Sequence, residues 1–321
     1  MDYTIKVEKL LFVVIINNKL IHWRLNMKKK LSFIFIFIFI LSIVGCSNPI
    51  TIKKASTATK TKPVDSSLIP NFNKTTVIKP YGESIPVLEY HSITYEKGNP
   101  ICIPIKKFKE QMKYLKDNGY YTLSLTNLYG YLMNNTPIPK KSVVLTFDDG
   151  YENNYTAMFP VLKKYNFRAT IFVITGNVDK YRKFLKSKQL YEMDSSNIDI
   201  ESHTVNHDNL ALLSKNKQLK TVINSKKYLE KTLDKQIYFF AYPFGGYNKS
   251  AIESLKEAHY KMAFTTVDGW SSKQNGILSL HRVWVGPLDS TSVFQNKISN
   301  PNYFIDHKVD IIKHKIISEI K

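Results

Sequence analysis

Ser142-Val143-Val144-Leu145-Thr146-Phe147-Asp148-Asp149-Gly150-Tyr151 is the stretch on which the reading of this chain turns. An apolar, β-branched run that stops at two carboxylates and a glycine reads as a buried strand carrying acids to the rim of a core. Successive strand side chains face opposite ways, so Asp148 and Asp149 can share one site only if the strand has ended and the chain is turning, which Gly150 permits. An Asp-Asp-Gly surface turn is the alternative that this stretch alone leaves open.

Outward from it, strand and helix patterns alternate. Upstream lie a strand at Ile85–His91, a helix around Phe108, Met112 and Leu115, a strand at 120–123 and a helix at 125–133. Downstream, helices are expected at 153–165, 181–193, 215–232 and 249–258. Strands are expected between and after them at 168–173, 198–200, 237–241, 262–265 and 277–280. Repeated βα units imply a mostly parallel sheet, and this many favour a closed or nearly closed barrel over an open one. Barrel chemistry collects at the C-terminal strand ends, where Asp148, His91 and the histidines of Glu201-Ser202-His203-Thr204-Val205-Asn206-His207 all fall.

The totals bound the rest. A chain of 321 residues with 43% hydrophobic content can bury a large core. The formal charge is +20; the first 30 residues carry 7 basic and 2 acidic side chains, and without them +15 remains. Such a field favours anionic surroundings, but no basic run interleaved with aromatics marks a nucleic-acid site, and no nucleic-acid partner is expected. Two cysteines, Cys46 and Cys102, without a Cys-x-x-Cys exclude a zinc ribbon and a disulfide framework. Met27-Lys28-Lys29-Lys30, an apolar run to Val44, and Gly45-Cys46 have the form of a secretory signal ending in a bacterial lipobox. The expected layout is an upstream extension at 1–26, a lipoprotein signal peptide at 27–45 and lipidation of Cys46. A Thr/Ser/Lys/Pro-rich tether at 46–80, a single catalytic domain at 81–300 and a basic tail at 301–321 follow. The product would be exported and anchored to the outer face of the cell membrane, facing the wall, as a monomer. An uncleaved membrane anchor is the alternative.

His203 and His207 at i and i+4 face one way if their turn is helical, a spacing suited to one metal ion. With a carboxylate from Asp148-Asp149 they make three ligands and leave open positions for water, as in a catalytic zinc site. At these residues the chain resembles the polysaccharide deacetylases that share the NodB homology domain. Thr146-Phe147-Asp148-Asp149-Gly150, His203-Thr204-Val205-Asn206-His207 and Tyr242-Pro243-Phe244-Gly245 occur in that family's order. The resemblance implies a distorted (β/α) barrel that removes N-acetyl groups from GlcNAc polymers with a divalent metal, Zn2+ first and Co2+ or Ni2+ as alternatives. It makes Asp148 the general base, Asp149, His203 and His207 the metal ligands, and the backbone N–H of Tyr151 an oxyanion donor. Tyr242, Pro243 and Phe244 would wall the substrate groove. Asp268-Gly269-Trp270 resembles the fourth motif, whose tryptophan lines the acetyl pocket.

Two departures matter. Many members take the acid that protonates the leaving amine from a late Leu-x-His, for which Leu280-His281 could stand. Pro86-Val87-Leu88-Glu89-Tyr90-His91-Ser92 instead resembles the opening of the poly-N-acetylglucosamine deacetylases, which makes His91 the first choice and His281 the alternative. Where relatives carry an arginine two residues before the third-motif proline, this chain has Ala241, and Arg282 is the candidate substitute for orienting Asp148. The expected function is N-deacetylation of a cell-surface polysaccharide of poly-N-acetylglucosamine type. Peptidoglycan deacetylation, or a catalytically silent glycan-binding lipoprotein of the same fold, are the alternatives.

Overall fold

A computed structural model describes residues 76–304. The upstream extension, the signal peptide, Cys46, the tether before residue 76 and the tail beyond 304 lie outside the described residues. Among the described residues no helix is long and apolar enough to cross a membrane.

Eight strands form one parallel sheet. They are β1 (Val87–Tyr90), β2 (Tyr121–Leu123), β3 (Ser142–Phe147), β4 (Ala169–Val173), β5 (Ile198–Ser202), β6 (Phe239–Ala241), β7 (Met262–Asp268) and β8 (Leu280–Trp284). Neighbours run β1-β8-β7-β6-β5-β4-β3, and β3 pairs back onto β1 with Glu89 opposite Thr146, which closes a seven-stranded barrel. The short β2 adds to the first half of β3, with Thr122 opposite Val143. The connecting helices are α1 (Ile105–Asp117), α2 (Leu125–Asn134), α3 (Phe159–Tyr165), α4 (Ser187–Asp194), α5 (Lys215–Leu233) and α6 (Lys249–Glu257), and α7 (Thr291–Ser299) follows β8. The distorted (β/α) barrel expected from the sequence is the fold of the chain.

Both faces of β3 and β4 are covered, so these strands read as continuous apolar runs: all six residues of β3 and all five of β4 are buried. Alternation sorts them into two cores. Leu88, Leu145, Phe147, Ile171, Ile200 and Phe240 face outward and pack with the helices. Val87, Val144, Phe172, Ala241, Phe264 and Leu280 face inward and fill the barrel. One residue pair further along the same inward rows the chemistry changes, to Glu89, Thr146 and Arg282, all buried. The barrel therefore has an apolar floor and a polar mouth.

Three elements depart from their sequence outlines. The last strand begins at Leu280 and not at Ile277, because Gly276 (φ 87°) turns the chain and the Ser279 hydroxyl donates to the Asn275 carbonyl at 2.7 Å. The helix expected from 181 starts at Ser187. Residues 183–185 are instead tied to the loop after β3, by Glu152 N–H to Lys183 O at 2.9 Å and Leu185 N–H to Gly150 O at 3.0 Å. The helix expected from 153 opens as a π-turn, Asn154–Met158, before α3. Wide turns of this kind recur at functional sites.

Phe172 is fully buried in the barrel, its ring 5.7 Å from that of Phe264. Phe172→Ala should cost about 3–5 kcal/mol, measured as a lower urea midpoint at unchanged slope.

Candidate active site

The mouth of the barrel is built by loops forced into unusual backbone. Asp148 still belongs to the ladder, its N–H donating to Tyr90 O at 2.9 Å. Asp149 (φ 72°) and Gly150 (φ 74°) then both take the left-handed region, so the two carboxylates leave the strand on different bearings. A side chain at Gly150 would meet Val173 at 3.3 Å, which is why glycine stands there. Thr204 (φ 65°), His207 (φ 60°) and Phe244 (φ 57°) are left-handed too, costly for a β-branched or bulky residue and sustained only where surrounding bonds over-determine them. Those bonds are present: Thr204 O accepts from Thr175 N–H at 3.1 Å, Thr204 Oγ1 accepts from Asp208 N–H at 3.0 Å, and Thr221 Oγ1 donates to Asp208 at 2.6 Å.

Asp149, His203 and His207 converge, with one ligating atom of each within 4.8 Å of the others. Asp149 Oδ1 lies 3.5 Å from His203 Nε2 and 3.3 Å from His207 Nε2. The histidines do not share a helical face as the i, i+4 spacing suggested; Thr204 and His207 reverse the chain between them. His203 Nδ1 faces the Ala241 carbonyl at 2.8 Å, which fixes the proton there and turns the Nε2 lone pair inward. Burial drives the imidazole down to about 4, so His203 is neutral. Burial would raise the Asp149 carboxyl, but the nearby imidazoles of His207 and His203 outweigh it and hold it below its usual range. Asp149 Oδ1 is buried and receives no hydrogen bond. Two aligned imidazole nitrogens and a carboxylate oxygen without a donor fit a divalent cation.

Asp148 has a different neighbourhood. Arg282 on β8 is fully buried and reaches across the barrel to grip it with two bonds, Nη1 to Oδ1 at 2.7 Å and Nη2 to Oδ2 at 2.6 Å. The same guanidinium donates from Nε to Thr265 O at 3.0 Å, from Nη1 to Thr146 Oγ1 at 3.2 Å, and lies 3.3 Å from Glu89 Oε2. Burial works to protonate Asp148, yet the Arg282 charge and its two bonds hold the carboxyl well below its usual range. Arg282 thus occupies, in space, the role for which Ala241 lacks a side chain. His91 Nε2 lies 4.0 Å from Asp148 Oδ2, and the His91 ring packs edge-on against Trp284 at 5.6 Å. The π-turn before α3 steadies this histidine, since Asn154 Nδ2 donates to His91 O at 2.8 Å and Asn153 Oδ1 accepts from Ile93 N–H at 2.9 Å.

Other residues singled out in the sequence divide between site and core. Tyr151 pairs with Phe184 through bonds made by its neighbours, so its own N–H takes no part in that bridge, and its ring stacks on Phe184 at 5.3 Å. Phe244 is 67% exposed with its ring 4.4 Å from His207. Tyr242 corrects its expectation: it is wholly buried in the outer core, its hydroxyl donating to Leu278 O at 3.0 Å, and Pro243 beneath Phe244 is buried too. Trp270 is held by α7, its indole donating to Lys297 O at 2.8 Å. The tryptophan beside the site is Trp284, braced by Asp268, which accepts from its N–H at 3.1 Å. His281 alternates with Arg282 along β8 and so faces out of the barrel, near Asn275 at 3.4 Å; the structure does not bring it to Asp148. Glu89, Asn153, Asn154 and Trp284 escaped sequence reasoning; only the period-two spacing of Glu89 and His91 could have drawn the first in.

Comparison with known proteins identifies the family. Residues 135–263 match the polysaccharide deacetylase family model. The chain is 39% identical over 210 residues to YxkH of Bacillus subtilis, which carries the polysaccharide deacetylase name, covering 65% of this chain and 74% of that one. It is 34% identical over 172 residues to the poly-beta-1,6-N-acetyl-D-glucosamine N-deacetylase of Staphylococcus aureus, covering 50% of this chain and 59% of that one. Among solved structures, the Streptococcus pyogenes deacetylase PplD in complex with acetate superposes with a TM-score of 0.65 at 35% identity, over 70% of this chain and 100% of that one. IcaB from Ammonifex degensii gives 0.60 at 25% identity, over 67% and 95%. The chain belongs to the polysaccharide deacetylase family. It is a hydrolase of the class that cleaves amide C–N bonds.

Arg282→Met would leave Asp148 and Glu89 buried without their shared cation. We expect a loss of about 3–5 kcal/mol in denaturant unfolding at neutral pH. Arg282→Lys, which keeps the charge and loses the planar grip, should be milder in stability while still lowering turnover.

Proposed function

We propose that the chain is a metal-dependent N-deacetylase of GlcNAc residues in a cell-surface polysaccharide, of the poly-β-1,6-N-acetylglucosamine type. The observation that carries this reading is the inequality of two adjacent acids: Asp149 faces two histidines, while Asp148 is clamped by an arginine beside a third histidine. The 34% identity to the Staphylococcus aureus enzyme supports the choice of polymer.

Asp149, His203 and His207 would hold the ion, zinc first and cobalt or nickel as alternatives. When bound it polarises the acetyl carbonyl and acidifies a water. Asp148 remains a carboxylate because Arg282 stabilises the charge, and its fixed oxygens take the proton of the attacking water. The Tyr151 N–H donates to the oxyanion as the carbonyl becomes tetrahedral. An amide nitrogen does not depart as an anion, so His91, close to Asp148, delivers a proton to it. Phe244 offers an exposed ring for a sugar face beside His207. A cavity of ≈ 750 Å³, lined by Ser92, Cys102, Tyr151, Asn153 and Arg182 among others, gives neighbouring sugars room. From the sequence we place the enzyme outside the cell, anchored through lipidated Cys46.

Incubation with zinc and GlcNAc oligomers should release acetate, and a chelator should stop it until zinc is restored. Asp148→Asn should keep bound zinc and lose ~10²–10⁴-fold in turnover. Asp149→Asn should lose both zinc and activity. Equal acetate from Asp148→Asn and the unsubstituted protein, or identical metal retention by the two variants, would reject the assignment.

A further inference from the structure

We propose that the cavity beside Tyr151 selects an acidic substituent on the glycan: Arg182, Lys183 and Lys186 receive a carboxylate or phosphate group carried by a sugar next to the one that is deacetylated. This rests on the reading that a glycan crosses the mouth of the barrel.

The cavity of ≈ 750 Å³ lies against the catalytic loops, since Ser92, which follows His91, and Tyr151, which follows Asp149 and Gly150, both belong to its wall. Arg182, Lys183 and Lys186 line it too. They come from Lys180–Lys188, nine residues that hold five cations and no acid. That segment is fastened to the loop after β3. Glu152 N–H donates to Lys183 O at 2.9 Å, Leu185 N–H donates to Gly150 O at 3.0 Å, and the Phe184 ring stacks on Tyr151 at 5.3 Å. The backbone therefore sets the cations beside the site, and they are not scattered along a free loop.

What the cavity lacks is an acceptor. Its two acids already have neutral donors: Glu96 accepts from Asn99 Nδ2 at 2.9 Å and from Cys102 Sγ at 3.6 Å, and Glu152 accepts from Thr156 Oγ1 at 3.1 Å and from Gln189 Nε2 at 3.4 Å. Its three cations have none. Among the described residues, the side chains of Arg182, Lys183 and Lys186 donate no hydrogen bond and form no ion pair; Lys183 lies only over the Phe184 ring, at 5.3 Å. A neutral sugar would meet them with hydroxyls, for which water is as good a partner. An oxyanion offers charge-assisted acceptors, and the planar fork of Arg182 matches the geometry of a carboxylate or phosphate. The volume suits one sugar with its substituent, not an extended chain. The same three charges disfavour the ammonium of a neighbouring sugar that has already lost its acetyl group.

Three monosaccharides with one core test this: GlcNAc, its 6-phosphate, and N-acetylmuramic acid, which bears a carboxylate. Each is titrated into the full zinc-loaded chain and followed by NMR at the Arg182 Nε and Tyr151 amide signals. The acidic sugars should shift both signals and bind at least about tenfold more tightly than GlcNAc at low salt. The gap should narrow as salt rises, and comparing the two acids tells phosphate from carboxylate. Arg182→Gln, Lys183→Gln and Lys186→Gln together, at exposed positions, should abolish the gap. Lys227→Gln, Lys231→Gln and Lys256→Gln, which remove the same charge from exposed positions on α5 and α6, should preserve it. Equal binding of acidic and neutral sugars, or no binding of either acid, overturns the proposal. So does equal loss in both triple variants, which would trace the preference to the general field of a +20 chain. Acetate release from GlcNAc oligomers without these shifts removes the subsite and leaves the deacetylase reading intact; the shifts without acetate release do the reverse.

Discussion

One buried guanidinium organises the mouth of this barrel. Arg282 has no exposed surface, and such a charge persists in a core only if every side is answered. Here Asp148 answers with both oxygens, Thr265 with a carbonyl, Thr146 with a hydroxyl and Glu89 with a nearby carboxyl. These groups come from β1, β3, β7 and β8, which are successive in the ring. The arginine therefore joins strands across the barrel and keeps Asp148 ionised, at a fixed orientation and apart from the cluster of Asp149, His203 and His207.

That last consequence lets neighbouring residues do different work. Two carboxylates in adjacent positions would ordinarily compete for one cation. The left-handed turn at Asp149 and Gly150 separates them in direction, and Arg282 separates them in charge environment. The same backbone device recurs at Thr204, His207 and Phe244, so several strained residues surround one small volume while the strands beneath stay regular. The apolar floor of Val87, Val144, Phe172, Phe264 and Leu280 supplies the rigidity that holds them.

Much of this was legible in the sequence, and the exceptions have physical causes. The strand ending in Asp148-Asp149-Gly150 and the histidines of His203 to His207 announced themselves because their chemistry is local in the chain. Arg282 could be named as a candidate from the gap at Ala241, but its grip on Asp148 spans 134 positions and belongs to the closure of the barrel. Tyr242 misled because alternation turns it outward, into the packing between barrel and helices, while its neighbour Phe244 is thrown into solvent by a left-handed turn. Trp284 went unnoticed because its place beside His91 is set by a last strand that starts three residues later than its apolar pattern suggested. Glu89 looked like an interruption in an apolar strand; its meaning lies in three other strands.

The central claim is that the two adjacent acids are divided between ion and arginine. Anomalous diffraction from crystals soaked in zinc tests it most directly. The account expects one strong peak about 2.0–2.2 Å from an Asp149 oxygen and from Nε2 of His203 and of His207, with Asp148 still held by both Arg282 nitrogens. A peak bonded to Asp148, or seated among Glu89, His91 and Asp148, would contradict it.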